Sequence, residues 1–136
     1  MSDPGSGRSP TRPAPLFDPN EVRDLVRLGQ WRIEHGREEK TWKAVATALS
    51  ISRVDAHEEI EKALTTLSEN TFHGRYEGPD HPPSDEHGLY LGKCGFYIKL
   101  RIESVAKSER VLVISFHPPD HEPLVTRGGD RIVRCR

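Results

Sequence analysis

A chain of 136 residues, 34% hydrophobic and 30% charged, has room for one polar domain with one modest core. No run approaches the roughly 18 apolar residues of a membrane helix, and the N-terminus lacks the apolar centre of a secretory signal, so a cytoplasmic protein without a membrane partner is expected. The net charge of −1 argues against indiscriminate nucleic-acid binding, but residues 1–88 hold 11 Lys/Arg against 16 Asp/Glu and residues 89–136 hold 9 against 5, so the C-terminal third is the part suited to phosphate.

Residues 1–16 are rich in Pro, Gly and Ser, bury almost nothing, and read as a disordered tail. A first helix opens at Asp18-Pro19-Asn20-Glu21, where Asp caps free N–H groups and Pro suits the first helical position, and it stops near Gly29. Trp42, Val45, Ala46 and Leu49 repeat at helical spacing and mark a second helix. Ser52 with Asp55 opens a third, running to about Leu67 with Ala56, Ile60, Leu64 and Leu67 on one side. Residues 74–88 carry Gly74, Gly78, Pro82, Pro83 and Gly88 among charges and read as a long loop.

Strict alternation from Phe96 to Glu103 then marks a strand with apolar even positions, and Leu112, Ile114 and Phe116 continue the even pattern after a polar turn near 106–109. Both even sets must share the buried face, which pairs Ile98 with Phe116, Leu100 with Ile114, Lys99 with Ser115 and Tyr97 with His117. The expected fold is α+β, with three N-terminal helices packed on one face of a small antiparallel sheet. The domain spans residues 17–122, and 123–136 form a polar extension in which Arg131-Ile132-Val133 is the one apolar run. Cys94 and Cys135 form no CxxC pair and read as two reduced thiols.

The opposite sheet face offers Tyr97, Lys99, Arg101 and His117. Cleaving RNA without a metal needs one group to take the 2′-hydroxyl proton, one to protonate the leaving 5′-oxygen, and positive charge for the phosphate; His, Tyr, Lys and Arg supply these, and no cofactor is called for. Tyr97 and Tyr90 are also suited to stacking a base.

The segments Leu67–Phe72, Tyr97–Leu100 and Val111–Phe116, in that order and spacing, resemble the MqsR family of bacterial toxins, as does Leu28-Gly29-Gln30 at the first helix exit. The likeness covers about 100 residues, from Phe17 to His117. It implies a RelE-like fold, an mRNA endoribonuclease that inhibits translation, and a cognate antitoxin protein as partner beside the RNA. Tyr97 and Lys99 fall on the family's strand tyrosine and lysine. The family's loop lysine falls at Gly74, flanked by His73 and Arg75, which are assigned to RNA binding with Tyr90, Lys99 and Arg101. Its later lysine is replaced by His117, and its loop glutamine aligns with His87. Histidines at these places suggest that His87 and His117 act as acid and base alongside Tyr97, since imidazole titrates near neutral pH.

Two rivals remain open. His81, His87, His117 and His121, with nearby acids, have the chemistry of a zinc-type hydrolase site. The same basic face also suits a module that binds RNA or protein without cutting.

Overall fold

The computed structural model describes residues 14–136. The expected tail thus falls mostly outside the described residues, but residues 14–16 are placed. The buried Asp85 carboxylate accepts the Leu16 and Phe17 N–H groups at 3.0 and 2.9 Å, and Arg75 donates to the Ala14 carbonyl at 2.8 Å.

Helix α1 (Pro19–Arg27) is capped by the Asp18 side chain, which accepts the Asn20 N–H. Its end is closed by Gly29 at φ +77°, with Gly29 N–H donating to Val26 O and Gln30 N–H to Leu25 O. The chain leaves that turn directly into β1 (Trp31–Ile33), a strand too short for its alternation to register in the sequence. Helices α2 (Glu38–Leu49) and α3 (Arg53–Leu64) follow, the latter capped by Ser52 accepting from Asp55 N–H; Leu67 stays buried just beyond it.

The expected long loop is mostly sheet. Strand β2 (Phe72–Tyr76) pairs antiparallel with β3 (Ser84–Leu91), leaving only residues 77–83 as the connection. Of the glycines read as loop markers, Gly74 and Gly88 lie inside these strands and Gly78 in the connection. Gly88 is there because the chain passes close over it: a Cβ would lie 2.5 Å from Leu124. Strand β4 (Cys94–Val105) pairs with β3 and with β5 (Ser108–His117), and the sheet order is β1-β5-β4-β3-β2, antiparallel except for the β1–β5 pair.

Three of the four expected β4–β5 pairs are present: Tyr97 with His117, Ile98 with Phe116 and Lys99 with Ser115. Leu100 instead opposes Val113, because a bulge at Ile114 adds one residue to β5. Below the bulge Val111 and Val113 join the core, so Leu112 and Ile114 do not share the buried face with Phe116 as expected. The core lies between the helices and the face carrying Leu89, Phe96, Ile98, Leu100 and Phe116. The architecture is mixed α+β: three helices and a five-stranded, mostly antiparallel sheet. Among the described residues no helix is long and apolar enough to cross a membrane.

The C-terminal stretch is a strap rather than a polar extension. Strands β6 (Leu124–Val125) and β7 (Arg131–Ile132) pair with each other, and Ile132 is 1% exposed. The strap crosses the sheet face away from the helices, over Gly88 and Gly95. A Cβ on Gly95 would sit 2.0 Å from the Val133 carbonyl oxygen. Gly95→Ala is therefore expected to lower stability by about 1–3 kcal/mol and to raise amide exchange in residues 124–136, as measured by urea unfolding and hydrogen exchange. Unchanged exchange there would show that the strap tolerates displacement.

Candidate functional site

The strap covers the outer sheet face at Gly88 and Gly95, and beside it opens a cavity of about 370 Å³. Tyr97, Lys99 and His117 line it together, as the β4–β5 register requires. The Tyr97 and His117 rings lie 5.3 Å apart between centroids at 40°. His73 joins them because a β-bulge between Phe72 and Gly74 disrupts the β2 register there. Asp120 and His121, in the connection leading to the strap, complete one rim.

The residue that sequence reasoning missed is Glu86. It opposes Lys99 across the β3–β4 ladder and lines the cavity, and its Oε2 accepts the Tyr97 hydroxyl at 2.5 Å. Reading residues 74–88 as a loop gave Glu86 no facing, although its neighbours alternate in and out once the segment is a strand.

His87 belongs to the other face, contrary to its expected catalytic role. It opposes Ile98 of the core, is 1% exposed, stacks edge-on against Phe72, and has Thr71 Oγ1 2.9 Å from Nδ1. Burial pushes its pKa down to about 4, opposed only in part by hydrogen bonding to Thr71. His87 and His117 therefore lie on opposite sides of the sheet and cannot act on one phosphate.

Tyr90 is also taken out of the expected RNA-binding set. Its hydroxyl donates to Arg131 O at 2.8 Å and accepts Val133 N–H at 3.0 Å, while the Arg136 guanidinium covers its ring at 4.0 Å. Arg75 is engaged at the N-terminal segment through Ala14 and lines neither the cavity nor its neighbour. Arg101 lies in an adjoining hollow with Tyr76, His81 and Arg37, and pairs with Glu103 at 3.5 Å. Lys99 borders both hollows, its Nζ 4.0 Å above the Tyr76 ring.

The protonation of two imidazoles follows from their partners. A carbonyl oxygen only accepts, so His117 Nδ1 must carry the proton it donates to Pro118 O at 2.7 Å, and His73 Nδ1 the one it donates to Val125 O at 2.7 Å. In each ring Nε2 is left as the atom that takes or gives a proton. The Tyr97 phenol is held protonated: burial first, then the Glu86 carboxylate, raise its pKa far above the ordinary phenol range. Tyr97 is thus a donor and a ring surface, not a base.

The histidines of the zinc reading are dispersed. His117 and His121 line the cavity, His81 stands beside Tyr76 in the neighbouring hollow, and His87 is in the core. Among the described residues no three His, Cys, Asp or Glu side chains come together in a way that could hold a metal ion.

Compared with protein-family models, with curated proteins and with solved structures, the chain matches none. The geometry of the cavity therefore carries the functional argument.

The core position of His87 has a measurable signature. Its folded pKa lies below the unfolded value near 6.5, so the stability tied to its neutral form is fully present above pH 6.5 and is lost as pH falls toward 4. Over that window it is worth about 3 kcal/mol. The stability–pH curve of His87→Gln is expected to be flatter by that amount between pH 6.5 and 4, measured by denaturant unfolding. Parallel curves would place the His87 ring in water.

Proposed function

We propose that this protein is an endoribonuclease of the mRNA-cleaving toxin type, cutting RNA by transphosphorylation in the cavity of Tyr97, His117, Lys99 and Glu86. The observation that carries the reading is the Tyr97–His117 ring pair, in contact at a tilt, beside a carboxylate and an ammonium, on neighbouring strands and in one concave site. Glu86 takes the proton of the 2′-hydroxyl, and the 2′-oxygen attacks phosphorus. The 5′-oxygen leaves with a proton from Nε2 of the His117 imidazolium, whose Nδ1–H is steadied by Pro118 O. Lys99 offsets the charge that develops on the phosphate, and Tyr97 orients Glu86. Of the acid and base roles expected of His87 and His117 together, the one that His87 would have filled passes to its neighbour Glu86.

The resemblance of Leu67–Phe72, Tyr97–Leu100 and Val111–Phe116 to MqsR toxins supports the same reading. With it come a RelE-like arrangement, action on mRNA in the cytoplasm, and restraint by a cognate antitoxin. The hollow holding Tyr76, His81 and Arg101 adjoins the reacting centre through Lys99 and is suited to an unpaired base or the next phosphate.

The purified chain is expected to cut a single-stranded RNA oligonucleotide into 2′,3′-cyclic phosphate and 5′-hydroxyl ends. An oligonucleotide with deoxyribose at the cleaved position should stay intact. Glu86→Gln and His117→Ala should each lower the rate by about 10²–10⁴-fold, with the bell-shaped rate–pH profile losing a different limb in each. His87→Gln should cut at nearly the normal rate wherever it is folded. RNA that is bound but uncut, or wild-type rates in the Glu86 and His117 variants, would sink the proposal.

A further inference from the structure

Outside the cavity, the two cysteines meet. Cys94 at the start of β4 and Cys135 beyond β7 are partners in an isolated antiparallel bridge. The hydrogen bonds of that bridge run from Gly95 N–H to Arg134 O at 3.2 Å and from Arg136 N–H to Lys93 O at 2.9 Å. They flank the cysteine pair instead of joining it, so the pair is of the non-hydrogen-bonded kind. In such a pair the Cα atoms approach to about 4.5 Å and both side chains leave the ladder on the same side. That separation lies within the range a disulfide spans, roughly 4.4–6.8 Å between Cα atoms. Both cysteines are thiols here; Cys94 Sγ donates to Ala48 O at 3.2 Å, and Cys135 is exposed.

We infer that Cys94 and Cys135 are a reversible disulfide site that staples the C-terminal strap to the sheet, with a peroxide as the oxidant. The exposed Cys135 is the sulfur a peroxide reaches. Its thiolate attacks the distal peroxide oxygen, the O–O bond breaks, and Cys135 becomes a sulfenic acid while the peroxide leaves as an alcohol or as water. The Cys94 thiol, released from Ala48 O by rotation about its Cα–Cβ bond, then attacks the Cys135 sulfur. The S–S bond forms, the S–O bond breaks, and the hydroxyl departs as water with the Cys94 proton. Two thiols are oxidised by two electrons and one peroxide is reduced; a small dithiol reverses the change by exchange.

The staple acts on more than the terminus. The strap it closes also supplies Leu124 to the wall of the cavity and the Val125 carbonyl that holds His73. Oxidation would fix that wall in place. This inference stands on the bridge geometry and does not depend on the proposed nuclease activity.

The test uses the full reduced chain treated with an equimolar amount of hydrogen peroxide. The expected product is a monomer lighter by two hydrogen atoms, with both thiols lost together to alkylation and a peptide containing Cys94 linked to one containing Cys135. Its Tm should rise by about 5–10 °C and fall back on reduction with dithiothreitol. Cys135→Ser should keep an alkylatable Cys94 and show no such rise, and Cys94→Ser should stop at oxygen addition on Cys135. Wild-type protein that gains oxygen atoms on Cys135 or forms linked dimers, with no internally bridged monomer, would overturn the inference.

Discussion

One extra residue in β5 decides where the chemistry can happen. Counting upward from Val111 and Val113, which enter the core, uninterrupted alternation would carry Ser115 and His117 inward and turn Phe116 outward. The bulge at Ile114 resets the alternation. Phe116 packs against Phe96 in the core, with ring centroids 5.3 Å apart, and His117 comes onto the face of Tyr97. Burying Phe116 is the favourable term, worth about 1.5–3 kcal/mol for an aromatic side chain of this kind. Hydrophobic packing at one residue thereby presents an imidazole at the next. The cavity and its proton-carrying ring are consequences of core packing across the sheet.

The same bulge explains what sequence could and could not reveal. Local signals were legible where a side chain closes a backbone group: Asp18 and Ser52 mark helix starts, and Gly29 marks an end. The upper part of the β4–β5 hairpin was legible because Tyr97-Ile98-Lys99 alternates cleanly. From Val111 to Ile114 every residue is apolar, so alternation has nothing to report and the displaced register leaves no trace in the letters. Leu112, buried to 3% exposure on the outer face, gives the same signal as a core residue.

The candidate site was half legible for a related reason. Tyr97, Lys99 and His117 stand on strands whose periodicity could be read. Asp85-Glu86-His87 places polar side chains on both faces of β3, and inward Asp85 and His87 do not resemble a core strand by composition. Their burial is made tolerable by partners distant in the chain: Leu16 and Phe17 amides for Asp85, Thr71 for His87. Tyr90 was misread for the opposite reason. Its ring suits a nucleobase, but the strap occupies its hydroxyl and Arg136 its face, and neither contact is local in sequence.

The carboxylate at Asp85 also sets where the folded unit begins. Its burial raises its pKa, while the Leu16 and Phe17 amides and Arg75 act to keep it ionised. A shortened chain starting at residue 14 retains both amide donors. One starting at Asp18 would leave a charged oxygen pair in the interior without them, at a cost of about 1–3 kcal/mol per lost donor. Four residues ahead of the first helix, devoid of regular structure themselves, are thus as much a part of the sheet as the strands.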